Sequence, residues 1–136
     1  MMSSHDARLQ ILLTRPKVER ESFAAMSLTS LHPAGQWFDR CDFTAADLRF
    51  ATLDDRFFRF CDFSRADLKG ASMRGARFAG CNFTDADLAN CDLTGATLTA
   101  VNTGTASGVT VMTGAVLTGA TLRGIVTDEV VGWADR

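Results

Sequence analysis

A five-residue period runs unbroken from Cys41 to Leu98, and it excludes both common secondary structures as a continuous description of this stretch. Written in fives, it reads CDFTA ADLRF ATLDD RFFRF CDFSR ADLKG ASMRG ARFAG CNFTD ADLAN CDLTG ATLTA. Every third residue is Phe, Leu or Met, and every first residue is Ala or Cys except Arg56. On an α-helix a five-residue step advances about 500°, so these large residues would spiral around the axis instead of lining one face. On a strand of period two, five is odd, and successive large residues would fall on opposite faces. The spacing works if the chain turns a corner after every block and each block presents its third residue to a common axis. Four such corners close a square.

A second comparison supports the square. Blocks resemble one another four apart: CDFTA, CDFSR and CNFTD, or ADLRF, ADLKG and ADLAN. Phe38, Phe58, Phe78 and Leu98 form one column, and Phe43, Phe63 and Phe83 a second. Leu48, Leu68 and Leu88 form a third; Leu53, Met73 and Leu93 form a fourth. Like stacks on like, as in solenoids whose repeats touch only their neighbours. First positions are small because they also point inward: Cys41, Cys61, Cys81 and Val101 in one column, Ala46, Ala66, Ala86 and Ala106 in another. Gly70, Gly75, Gly80 and Gly95 stand at fifth positions, where the corners fall.

Through these twelve consecutive blocks the chain resembles the pentapeptide-repeat family, whose pattern is A(D/N)LXX. The resemblance implies an all-β fold: a right-handed quadrilateral parallel β-helix, a solenoid of about twenty residues per coil. It also implies a homodimer as the common assembly. Some members bind type II topoisomerases by mimicking DNA.

The flanking segments are less regular. HDARLQILLTR at 5–15 reads as a short N-terminal capping helix, with Asp6 as N-cap, Leu9, Leu12 and Leu13 on one side, and Pro16 as the stop. Val18, Phe23, Leu28 and Pro33 keep the five-step, with Met26 and Leu31 at inward first positions. The expected organisation is a cap helix over 1–15 and a β-helix over 16–129, with a regular core at 36–98 and an irregular stretch at 99–114. Residues 130–136 form a C-terminal cap. In the irregular stretch Thr103 and Gly108 hold central positions, and VMTG is one residue short, which places a bulge near 106–114. No charged residue occurs from Leu93 to Leu122, so the C-terminal coils read as a capped end or a homodimer interface.

The chain has 136 residues and a net charge of −2, which marks neither a nucleic-acid binder nor a strong polyanion. It contains no run of eighteen apolar residues, and its N-terminus lacks a signal-peptide pattern; a cytoplasmic protein is expected. Cys41, Cys61 and Cys81 should stack about 4.7–4.9 Å apart, beyond disulfide reach, so they and Cys91 read as buried reduced thiols. No C-x-x-C pair completes a metal site, so no metal and no cofactor is expected. Neither His5 nor His32 has a nucleophile at an identifiable spacing, and no phosphate-binding or nucleophile-elbow motif occurs. The interior is filled with Phe and Leu. The chain therefore reads as non-enzymatic.

Two surface patterns are candidates for function. Asp47, Asp67 and Asp87 form one outward column; Asp42 and Asp62, continued by Asn82 and Asn102, form another. Such residues either hydrogen-bond the corner backbone, as Asx residues do in turns, or present a phosphate-like array to a DNA-binding protein. Asn at two positions favours the first use, and a net of −3 between 36 and 129 is weak for mimicry. The sharper anomaly lies on the side made by QWFDR, RFFRF, ARFAG and ATLTA. There Trp37, Phe57 and Phe60 stand at outward positions with Arg40, Arg59 and Arg77 around them, while Gln36 and Arg56 replace inward Ala or Cys. Arg56 is expected to bend outward towards Asp39 or Asp55. Aromatics ringed by Arg are the composition of a protein-contact hot spot, unless the N-terminal helix or the 16–35 segment folds over them. A single-stranded nucleic-acid platform uses the same residue types, but the net acidity is against it.

The functional expectation is a rigid, non-enzymatic protein-binding scaffold or adaptor. Its contact surface is Trp37, Phe57, Phe60, Arg40, Arg59 and Arg77. The alternative carried by the resemblance is a DNA-mimicking modulator of gyrase or topoisomerase IV that uses Asp42, Asp47, Asp62, Asp67 and Asp87. A third is a secretion-system adaptor or effector component. No membrane and no direct nucleic-acid partner is expected.

Overall fold

Each block supplies a short extended run followed by one corner residue, and every fourth block is straight enough to form a three-residue strand. In a computed structural model that describes residues 14–102 and 108–133, these strands are β1 (Lys17–Glu19), β2 (Trp37–Asp39), β3 (Phe57–Arg59), β4 (Arg77–Ala79), β5 (Thr97–Thr99) and the shorter β6 (Val126–Thr127). They stack in sequence order as one six-stranded parallel sheet, the first side of the solenoid. Trp37 pairs with Phe57, Phe38 with Phe58 and Asp39 with Arg59, a register of twenty residues. The second, third and fourth sides pair through single parallel bridges, for example Asp42–Asp62, Asp47–Asp67 and Thr52–Ser72. The fold is an all-parallel β-solenoid, and no α-helix occurs among the described residues.

The core consists of the third residues. Phe23, Phe43, Phe63 and Phe83 stack with near-parallel planes at centroid separations of 4.9–5.0 Å, and Phe38, Phe58 and Phe78 at 5.0–5.1 Å. The two columns meet edge to face, as between Phe58 and Phe63 at 5.3 Å. Both geometries suit the ring quadrupole. Small first residues, Ala46, Ala66 and Ala86 among them, are fully buried beside the large ones.

The corners impose a backbone requirement that the sequence only partly advertises. Fifth residues take a left-handed conformation even where they are not glycine: Arg40 at φ 54°, Ala45 at 58°, Phe50 at 61° and Asp55 at 59°. This region costs an L-residue roughly 1–2 kcal/mol. An inter-coil hydrogen bond at each corner offsets that cost. The amides of Arg40, Ala45, Phe50 and Asp55 donate to the carbonyls of Arg59, Ser64, Lys69 and Arg74, at 2.8–3.1 Å. A corner side chain lies across the corner of the next coil. The Phe50 ring crosses Gly70, where an added Cβ would sit 2.6 Å from Cε1, and Phe60 crosses Gly80.

The irregular stretch is narrower than the sequence pattern suggests. Asn82 pairs with Val111 and Thr97 with Val126, so the register lengthens from 20 to 29 residues. The nine additional residues fall between Ala100 and Thr110, at the corner from first to second side. Val101 donates to the Gly108 carbonyl at 2.8 Å and closes this excursion at its base. Thr110, fully buried, takes the inward first position in place of Val101, and Met112 takes the central one in place of Thr103 or Gly108. Val111, not Asn102, continues the Asp42 column, and Ala115, 5% exposed, continues the Ala86 column. The block is TVMTG, a full five.

The expected cap helix lies, but for its last two residues, outside the described residues; Thr14 to Pro16 form a turn. Inter-coil pairing starts at the Pro16 carbonyl, which accepts from Trp37 at 3.1 Å. Gln36 is buried because its Oε1 accepts from the Ala34 and Gly35 amides at 2.8 and 3.1 Å. Arg56 reaches neither Asp39 nor Asp55 in an ion pair; its Nε donates to the Asp54 carbonyl at 3.1 Å.

Gly70→Ala should destabilise the fold by about 1–2 kcal/mol in urea titration, because it adds both an unfavourable φ and a methyl group against Phe50. Part of that loss should return in the Phe50→Ala background. Equal losses in the two backgrounds would show that the ring contact has no role.

Candidate functional site

The outward residues of the first side form columns, because each strand repeats the register of the one before. At the second position the column runs Lys17, Trp37, Phe57, Arg77. Its members stack in that order: Lys17 Nζ lies 4.6 Å from the Trp37 ring centre, Trp37 and Phe57 are parallel at 5.7 Å, and the Arg77 guanidinium is 5.0 Å from the Phe57 ring. Each aromatic face is covered, by the other ring or by a cation. Such cation–π contacts contribute about 0.5–1 kcal/mol at exposed sites and more when desolvated. Phe60, on the corner, has the Arg40 guanidinium 4.9 Å and the Arg59 guanidinium 5.5 Å from its ring.

Asp39 organises the cations. It is 1% exposed, although it occupies an outward position. Arg40 Nη1 donates to both of its oxygens at 3.0 and 3.1 Å, and Lys17 Nζ lies 3.8 Å away. Arg59 Nε sits 3.2 Å from Oδ1 outside hydrogen-bond geometry, so that contact is an ion pair only. A carboxylate removed from water requires such company.

The structure thus brings Trp37, Phe57, Phe60, Arg40, Arg59 and Arg77 together on one side. It differs from expectation in exposure: the three aromatics are half-buried, under neighbouring cations and one another. Sequence reading missed Lys17 and Asp39. Both were findable, since Lys17 stands twenty residues before Trp37 and Asp39 twenty before Arg59. It also missed Phe50, which is 64% exposed at a corner on another side.

The Asp columns are occupied by backbone and by cations. Asp42, Asp47, Asp62, Asp67 and Asp87 each accept, through Oδ1, the amide two residues on, at 2.8–3.2 Å. Asn82 makes the same bond at 3.0 Å without a charge. Where the second position is Ser72, Asp54 of the previous coil substitutes and accepts from the Ser72 hydroxyl and the Arg74 amide at 2.6 and 2.9 Å. On the third side, Arg49 pairs with Asp47 at 2.8 Å and lies 3.9 Å from Asp67. Lys69 stands 3.5 Å from both Asp67 and Asp87. Like charges in this column are therefore interleaved with opposite ones.

The interior holds four free, buried cysteines. Cys41, Cys61 and Cys81 point their thiols at the Val18, Phe38 and Phe58 carbonyls at 3.3–3.5 Å. The neighbouring Cys61 thiol and burial raise the Cys41 pKa, and burial raises that of Cys61 and pushes Cys91 up to about 12. No group of three potential metal ligands occurs among the described residues, and no helix there is long and apolar enough to cross a membrane.

The coils, the filled interior and the patterned sides define a class, the parallel β-solenoid with four-sided coils. A family model described as pentapeptide repeats matches residues 61–99 in eight copies. That stretch therefore carries pentapeptide repeats, and the parallel β-solenoid of the described residues agrees with them. No curated protein matches it. Among solved structures it is similar to a pentapeptide repeat protein from the Arabidopsis thaliana thylakoid lumen, at 21% identity and TM-score 0.56, covering 83% of this chain and 66% of that one. It is also similar to QnrB1, a plasmid-mediated fluoroquinolone resistance protein, at 22% identity and TM-score 0.56, covering 80% of this chain and 61% of the other. The chain spans less than two thirds of either structure, and likeness at this identity shows the fold alone.

Two measurements check the site chemistry. The Arg49 hydrogen bond holds Asp47 below its ordinary pKa, and the Thr94 hydrogen bonds hold Asp92 below its own. The folded state therefore binds these protons less readily than the unfolded chain. The associated stability is complete above about pH 4 and is lost as pH falls through the depressed values. Asp47→Asn should flatten the acid limb of a stability–pH profile; an unchanged limb would mean that Asp47 does not contribute to it. In a thiol-reagent assay, none of the four cysteines should react until denaturant is added, and then all four should. Reaction of any before unfolding would show that the interior opens.

Proposed function

We propose that the chain is a non-enzymatic protein-binding scaffold whose contact surface is the first side, with Trp37, Phe57 and Phe60 as apolar anchors and Arg40, Arg59 and Arg77 as the charged rim. One observation carries this reading: Trp37 and Phe57 at outward positions of a parallel sheet and Phe60 at its corner are partly exposed and held in place by cations. Trp and Arg on a rigid platform are the residues that most often dominate binding energy at interfaces, and pre-ordered side chains lose less entropy when a partner arrives.

Mimicry of DNA towards a type II topoisomerase is the weaker reading. Asp42, Asp47, Asp62, Asp67 and Asp87 each have a backbone amide to accept, and Asn82 shows that the charge is dispensable for that bond. The scaffold reading extends to a homodimer through the C-terminal coils, where Val116, Val126 and Val131 are 45–54% exposed. It also places the protein in the cytoplasm, a setting that suits four free thiols.

The test is affinity capture from native lysate with wild type, Trp37→Ala and Phe57→Ala, each confirmed as folded by circular dichroism. A protein retained by wild type should be lost or weakened at least about tenfold with either variant, the effect expected of a hot-spot residue. Retention that neither substitution changes would remove the first side from the interface.

A further inference from the structure

The charge of the chain is divided unevenly among its sides. The first-side blocks of the first four coils, 16–20, 36–40, 56–60 and 76–80, hold six of the fourteen Lys and Arg residues and two of the sixteen Asp and Glu residues. That region is net +4 and everything else net −6, a contrast hidden by the overall value of −2. The two acids offset only part of the patch, which keeps its net of +4. Asp39 is buried beneath three cations, and Glu19 is paired with Lys17 at 3.4 Å. Arg77 has the Phe57 ring as its neighbour and belongs to no ion pair among the described residues.

The aromatics reinforce the sign. Trp37 has one face on Phe57 and the other under Lys17; Phe57 has its other face under Arg77. What the stack turns to solvent is ring edge, and ring edges carry the positive end of the quadrupole. Edges and ammonium or guanidinium groups together make a continuous surface that favours anions. The same geometry leaves no free ring face on which a nucleobase could stack, and stacking is the main source of affinity in single-strand platforms.

Resting on the scaffold reading above, we infer that the first side takes a short, extended acidic segment of a partner protein, laid along the solenoid axis. Coils repeat at about 4.7–4.9 Å, so Lys17, Arg40, Arg59 and Arg77, one per coil, span roughly 15 Å. An extended peptide rises about 3.3 Å per residue, so that span matches four or five residues, of which two or three project carboxylates to the same side. The patch ends where Thr97 follows Arg77 in its column, and Asp128 and Glu129 stand on the same side at the last coil, which fixes the segment's length from that end. Guanidinium groups are suited to paired carboxylate oxygens.

The test is fluorescence polarisation with the full chain and three labelled probes: a peptide of alternating Glu and Val, its Gln-for-Glu counterpart, and an oligothymidylate. The Glu peptide should bind at about 50 mM salt and weaken as salt rises to about 300 mM. The Gln peptide should not bind. Arg77→Gln should weaken the Glu peptide at least about fivefold, and Lys69→Gln on the third side should leave it unchanged. No binding of the Glu peptide at low salt, equal binding of the Gln peptide, equal loss with Lys69→Gln, or tighter binding of the oligothymidylate would each overturn the inference. The two readings fail separately. If a captured lysate protein is lost with Phe57→Ala but is indifferent to Arg77→Gln and to salt, the first side is an interface and its partner is not acidic.

Discussion

The backbone hydrogen bonds between successive coils set a single repeat distance, and every other feature of the molecule conforms to it. Corner amides donate upward at 2.8–3.1 Å, which fixes one coil above the next and makes each side chain a neighbour of the residue twenty positions away. Inside, this distance is close to the stacking distance of two aromatic rings, so Phe upon Phe at 4.9–5.1 Å fills the core without strain. Outside, the same distance would set carboxylate above carboxylate. The repulsion, about 1 kcal/mol at this separation in water, is relieved by placing Arg49 and Lys69 two residues after Asp47 and Asp67.

The first side shows what happens when the rule is kept but its residues are changed. QWFDR and RFFRF retain the inward Phe, yet put polar groups where Ala or Cys would point inward and aromatics where Asp would point out. Each departure has a local compensation. Gln36 satisfies the two amides of the preceding corner, Arg56 donates to a carbonyl, and Asp39 is neutralised by Lys17, Arg40 and Arg59. A sequence that only needed to close a coil would not require these arrangements, since Ala-Asp-Leu blocks close it elsewhere with one side-chain hydrogen bond.

Column logic made much of this legible in advance. Phe58 and Phe63 stand where a fivefold step and a twentyfold step agree, and Asn82 in the Asp42 column disclosed that the second position serves the backbone. The misreadings share one cause: periodicity locates a residue but does not describe the contacts it makes across columns. Trp37, Phe57 and Phe60 read as exposed because their covering cations come mostly from other coils: Lys17 over Trp37, Arg77 over Phe57 and Arg40 over Phe60. Phe50 escaped notice because a corner was taken to need glycine, whereas Phe50 itself adopts φ 61° and the glycine is required one coil later. In the 101–109 excursion, counting in fives from the wrong side of an insertion assigned Thr103 and Gly108 to a core that Thr110 and Met112 fill.

Net charge is the quantity in which the surface was least legible, because a solenoid presents its sides separately. A value of −2 averages over a side that is positive and others that are acidic but satisfied from within. At physiological salt, charges more than about 8 Å apart are largely screened, and opposite sides of a coil are separated by the packed core between them. A ligand at the first side therefore responds to Lys17, Arg40, Arg59 and Arg77 far more than to the Asp47 column. These cations are also restrained, by ring faces and by Asp39, before any ligand arrives. The cost of ordering them, about 0.5–1.5 kcal/mol for each flexible side chain at an interface, is largely met in folding. A rigid sheet with a repeating register holds them in one spatial order, and on the inference drawn above that order, more than the number of charges, selects among acidic sequences.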